Sequence, residues 1–141
     1  MLKRVIFVNE KQAQRMSGRP SAAIISITSP GKTPPTLGVR WRSVLRLEFD
    51  DVDPITFPGA NEELQQMTPR QAEEVHCFVS ALPASVHSLV IHCKSGISRS
   101  AGVAKAVADG YRLRFPDDYK DYNRYVHDLV LSCIQTPGDL A

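Results

Sequence analysis

The stretch LVIHCKSGISRSAGVA, Leu89 to Ala104, decides how this chain is read. Leu89, Val90 and Ile91 form an apolar run short enough for a buried strand. His92-Cys93 ends it. Lys94 to Ser98 are mostly small, and Arg99-Ser100 follow. The run from Ser100 to Leu113, rich in Ala, Val and Gly, has the composition of a closely packed helix. A strand passing straight into a loop and a helix is the building unit of parallel sheets. In such sheets ligands bind beyond the carboxyl ends of the strands. A loop containing Gly96 can aim successive amide N–H groups at one point, a nest for an anion. The helix beginning near Ser100 adds its unpaired N–H groups and the positive end of its dipole. Arg99 adds a planar fork suited to two phosphate oxygens. The same surroundings act on Cys93. A thiol of ordinary pKa, ~8.5, is expected to drop toward the thiolate beside a helix N-terminus and cations. The thiolate is the nucleophilic form.

Outward from this stretch, strands and helices interleave. Val5 to Val8 and Ser21 to Thr28 predict two strands. Lys11 to Met16 predicts a short helix, stopped by Ser17-Gly18-Arg19-Pro20. Val44 to Phe49 alternates and predicts a third strand, followed by the acidic, proline-broken DDVDPITFPGANEE. Thr68-Pro69-Arg70-Gln71 supplies an N-cap, a first-turn proline and a capping-box glutamine. Ala72, Val75, Phe78, Val79 and Leu82 then share one helical face, and Pro83 closes the helix. A last helix is expected over about Asn123 to Ile134, with Val126, Leu129, Val130 and Ile134 inward and Pro137-Gly138 ending it. The expected fold is α/β, a central, mainly parallel sheet of four to five strands flanked by helices. One domain, residues 1–141, is expected.

The formal charge of +2 is too small to argue for nucleic acid or membrane. Arg40, Arg42 and Arg46 alternate with apolar residues, as on a solvated strand face. Cys77, Cys93 and Cys133 are odd in number and scattered, which fits a reducing compartment rather than a disulfide framework. The apolar run at Val5 to Val8 is too short for a signal-peptide core. A cytoplasmic monomer is expected, with no membrane or nucleic-acid partner. His76-Cys77 and His92-Cys93 invite a zinc reading. Neighbouring side chains diverge on helices and strands, however, and the spacing is not that of a zinc module. No metal and no cofactor are expected.

His92-Cys93-x-x-Gly96-x-x-Arg99-Ser100 resembles the signature of the cysteine-dependent protein tyrosine phosphatases. The compact chain and Ser98-Arg99-Ser100 are most similar to the small dual-specificity group and bacterial phosphatases. The resemblance is specific in this loop. Outside Val44 to Gly110 it reaches only the order of elements. It implies a phosphocysteine at Cys93, with Arg99 and the amides of Lys94, Ser95, Gly96, Ile97, Ser98 and Arg99 holding the phosphate oxygens. Ser100 would hydrogen-bond the sulfur and help it leave. His92 would orient the loop and tune the thiol. The implied substrate is a phosphotyrosine protein, with phosphoserine and phosphothreonine also admitted.

The resemblance also implies an aspartic acid before the helix that precedes the Cys93 strand. LRLEFDDVD offers Asp50, Asp51 and Asp53. Asp51 ranks first: the resembled small phosphatases often carry an apolar strand residue four positions before the acid, as Leu47 stands here, and Asp51 shares the face of Leu47 and Phe49 if the strand continues that far. Phe57-Pro58-Gly59 is a candidate flap. No glutamine stands out as a water-positioning residue. Gln135 reads as surface, and Asn123 is either a substitute or simply a helix cap. Trp41, Tyr111, Tyr119, Tyr122 and Tyr125 are assigned to packing. Two other functions remain open at this point: a phosphate-binding module without catalysis, and a phosphatase of phosphoinositides or RNA 5′ ends.

Overall fold

The computed structural model describes residues 1–59 and 63–134. The elements run in the order β1 (Arg4–Asn9), α1 (Glu10–Arg15), β2 (Ala22–Thr28), β3 (Ser43–Glu48), α2 (Pro69–Ser80), β4 (Ser88–Cys93), α3 (Arg99–Tyr111) and α4 (Arg124–Ile134), with no helix between β2 and β3. The four strands form one sheet in the order β1-β4-β2-β3, and every pairing is parallel. The fold is therefore α/β, with four strands among the described residues. β4 is an inner strand with both faces covered, Leu89 and Ile91 by the main core and Val90 by Ala13, Met16, Leu37 and Trp41. This is why Leu89 to Ile91 read as a continuous apolar run rather than an alternating one.

One face of the sheet carries most of the core. Ala23, Ile25, Ile27, Leu47, Leu89 and Ile91 meet α2, α3 and α4 there. The small residues of α3 let that helix lie close behind the sheet. A Cβ on Gly102 would stand 2.7 Å from the Asn123 carbonyl oxygen. The opposite face is covered more thinly, by Ala13 and Met16 of the α1 region and by Leu37 and Trp41 over Ile24 and Val90.

The caps fall where the residue types require. Thr68 accepts from the Gln71 amide, and the Gln71 side chain answers the Thr68 amide. Asn9 and Gln12 make a second capping box that fixes the turn from β1 into α1. Most boundaries shift by one or two residues from expectation, three of them as follows. β3 ends at Glu48, not Phe49, because Asp50 leaves the sheet to pair with Gln65. α3 stops at Tyr111 rather than Leu113, since Arg112 adopts φ 58° and closes the helix in the left-handed conformation. α3 also begins one residue early, at Arg99. Gln135 and Pro137-Gly138 lie outside the described residues. Among the described residues no helix is long and apolar enough to cross a membrane.

Candidate active site

Cys93 is the last residue of β4, and Arg99 is the first of α3. Residues 94–98 bridge them beyond the carboxyl end of the central strand. Gly96 makes the bridge possible. Its φ is +70°, and a Cβ there would stand 2.5 Å from the Asn9 amide nitrogen. The loop is thus pressed against the end of β1. Among the described residues the amides of Ser95, Gly96, Ile97 and Ser98 donate to no protein acceptor. Ser98 occupies the N-cap of α3 but makes no side-chain cap bond. Its hydroxyl donates to Asp51 Oδ1 instead, at 2.8 Å. The first N–H groups of α3 therefore keep their capacity to bind an anion.

Two ties hold the loop from outside. Lys94 Nζ pairs with Glu10 at 2.8 Å, so its charge is partly committed to α1. The Tyr119 hydroxyl donates to the Ile97 carbonyl, while its ring packs against Phe7 and Phe115. Tyr119 does pack, as expected, but it also fastens the loop. Burial pushes its phenol pKa above the ordinary value.

Cys93 is buried, with Sγ 3.1 Å from Ser100 Oγ. Beside it His92 is fully enclosed. Its Nε2 lies 2.6 Å from Ser26 Oγ, and its Nδ1 lies 3.4 Å from the Cys93 carbonyl oxygen. Arg46 Nη1 donates toward the same Ser26 oxygen and to the Pro35 carbonyl. With Arg46 as donor, the Ser26 proton is directed to Nε2, and the ring proton sits on Nδ1 facing Cys93 O. Burial, reinforced by Arg46 and Arg99, holds the imidazole below its ordinary pKa despite the Cys93 carbonyl and Glu10. His92 is a neutral ring that fixes the backbone at Cys93.

Arg99 is only 7% exposed. Its Nη1 donates to the Phe49 carbonyl at 2.8 Å and to Ser29 Oγ at 2.9 Å. No described carboxylate pairs with it. Buried charges are normally neutralised by a partner. A guanidinium held by two neutral oxygens at an anion-attracting loop has its anchor but lacks its counter-charge.

The three aspartates separate clearly. Asp50 receives the Gln65 amide and turns along the chain. Asp53 is nine-tenths buried and accepts from the amides of Ile55, Thr56, Arg124 and Tyr125, capping α4. Burial alone would raise its pKa, but the Arg124 amide, the Thr56 hydroxyl and the Thr56 and Tyr125 amides outweigh that and hold it low. Asp51 is exposed and turned to the Cys93 loop through Ser98. It lies past the end of β3, so strand alternation with Leu47 and Phe49 does not orient it. Asn123 does. Its Nδ2 donates to Asp51 Oδ1 at 2.9 Å and to the Val52 carbonyl at 3.0 Å, while its Oδ1 caps the Val126 amide. Both polar ends of Asn123 are committed, so it is a clamp on Asp51 and a helix cap rather than a holder of water. Asp51 Oδ1 takes two donors, and Oδ2 takes none among the described residues.

Ser26, Ser29, Tyr119 and the clamp by Asn123 escaped the sequence reading. Ser29 had a usable signal, because it follows the strand next to β4 at the same carboxyl edge. Hollows of about 370 and 190 Å³ flank the loop, one reaching Ser29 and Lys94, the other Asp51, Phe57 and Ser98. Phe57 and Ile97 are exposed at 71% and 50%. Cys77 and His76 lie away from this site on α2, and among the described residues no cluster of three His, Cys, Asp or Glu could hold a metal ion. Comparison with protein-family models, curated proteins and solved structures finds no match.

Proposed function

We infer that this protein hydrolyses phosphate monoesters through a phosphocysteine at Cys93, with phosphotyrosine proteins as the leading substrate class. The observation that carries the reading is the buried, carboxylate-free Arg99 one loop away from a buried Cys93–Ser100 pair. A dianionic phosphoryl group supplies the missing counter-charge and accepts from the idle loop amides. The Cys93 thiolate attacks phosphorus, forming an S–P bond as the P–O bond to the leaving group breaks. Asp51 Oδ2 delivers the proton that the leaving oxygen needs. Water then attacks phosphorus, Asp51 takes its proton, and the S–P bond breaks. The Ser100 hydroxyl donates to the departing sulfur. Exposed Phe57 and Ile97 suit an aromatic leaving group, which favours phosphotyrosine over shorter side chains.

Hydrolysis of an aryl phosphate with chelator present tests this. Vanadate-sensitive turnover is expected, with Cys93→Ser abolishing it and still binding phosphate. Absence of turnover from about pH 5 to 7.5 overturns the enzyme. Binding without turnover would mark a phosphate-binding module instead.

A further inference from the structure

Charge is divided unevenly along the chain. Residues 1–47 hold nine Lys and Arg against one acid, Glu10, whereas the remainder holds eight against fourteen. Glu10 is already paired with Lys94. The thinly covered sheet face receives much of this excess. Register places Arg4, Ser88 and Ala22 in one row across it, and Ile6, Val90, Ile24 and Val44 in the next row on the same face. Arg4, Arg19, Arg40 and Arg42 are exposed, and none forms an ion pair among the described residues. Ile6 is 42% exposed at the β1 edge. Between it and the Trp41 segment lies a hollow of about 140 Å³, lined by Arg4, Ile6, Met16, Arg19, Trp41 and Val90.

We propose that this groove docks an acidic protein segment bearing one apolar anchor residue. The hollow is well below the ~300 Å³ of ordinary small-molecule pockets, so it has room for little more than a side chain. Apolar Ile6, Met16, Trp41 and Val90 line it together with the exposed Arg4 and Arg19, whose charges complement carboxylates beside an anchor. A narrow groove is poorly shaped for a bilayer plane. Trp41, half-buried with its indole nitrogen fully enclosed, is not presented as a stacking platform for bases. The groove lies at the amino end of β1, and Asn9 at the other end touches the catalytic loop. The two are separated by five residues of strand, or ~17 Å. Resting on the phosphoprotein reading above, the segment belongs to the substrate and holds it while the phosphorylated residue reaches Cys93.

Two measurements test the groove and the catalytic reading separately. The first is fluorescence polarisation with a labelled peptide of glutamates around a single leucine. Salt-sensitive binding is expected, weakened about tenfold by Arg4→Gln with Arg19→Gln, weakened also by Ile6→Ser, and unchanged by Cys93→Ser. Equal binding of an all-glutamate peptide overturns the anchor. Absence of peptide binding overturns the proposal, as does a preference for single-stranded DNA or phosphatidylserine vesicles. The second is turnover of a phosphotyrosine peptide extended by the same acidic segment. Here the double variant should raise KM about tenfold with kcat unchanged, and leave a small aryl phosphate unaffected. An unchanged KM removes the link to substrate. Failure of the wild type on the aryl phosphate removes the phosphatase while leaving the peptide measurement decisive for the groove.

Discussion

Asn123 shows how much one side chain can couple. It closes the first turn of α4 and, 72 residues back, holds the Asp51 carboxylate. Asn123→Ser keeps a hydroxyl for the cap but loses the amide donor to Asp51 and Val52. Turnover of alkyl phosphates is expected to fall about tenfold or more, because leaving groups of high pKa depend on the acid. Aryl phosphates with good leaving groups should lose much less. An equal loss on both substrate types would assign Asn123 to stability alone. Helical pattern identified the cap but not the clamp, since a hydrogen bond across 72 residues leaves no periodic trace. Asp51 was singled out by a spacing taken from the strand, and the strand stops short of it. What orients Asp51 is its hydrogen bonds.

At the scale of elements, the β4–loop–α3 unit depends on the end of β1. Gly96→Ala would place a methyl group 2.5 Å from the Asn9 nitrogen and 2.6 Å from the Val8 carbonyl carbon, at a φ of +70°. Both obstacles are backbone, so the loop rather than its neighbour must give. A loss of about 2–4 kcal/mol in unfolding free energy is expected, from overpacking plus left-handed strain. Chemical denaturation measures it. A variant as stable as the parent would mean the loop relaxes freely. The elements themselves were largely legible, because each carries local signals: the capping box at Thr68 and Gln71, and the uninterrupted apolar strand Leu89 to Ile91. Their ends were less so. The Asp50–Gln65 pairing that ends β3 and the left-handed Arg112 that ends α3 are products of tertiary structure. The order of strands was not legible at all, since hydrophobic pattern says that a strand is buried on both faces but not between which partners.

For the whole molecule, acid should act in two stages. Burial lowers the His92 pKa from 6.5, so below that value the unfolded chain binds a proton the folded chain refuses. Stability contributed by the neutral ring is complete above about pH 6.5 and declines as pH falls toward the depressed folded value. Against the upward pull of burial, hydrogen bonds from Lys105 and His127 hold Asp109 below 3.8, as those from α4 and Thr56 hold Asp53, so their contribution persists until the pH drops beneath that ordinary carboxylate value. His92→Asn should flatten the first stage and spare the second, as read by melting temperature against pH. An unaltered first stage would exclude His92 as its source. The sheet order has a temporal side as well. β1 and β2 are both made before β4, yet neither touches the other, and β4 joins them across a separation of more than sixty residues from β2. Such non-local parallel pairing is slow to form. During synthesis the amino-terminal strands must wait with a gap between them until the strand bearing Cys93 is released to fill it. The step that completes the sheet is therefore also the one that encloses the thiol, so Cys93 and the loop that surrounds it come into being together.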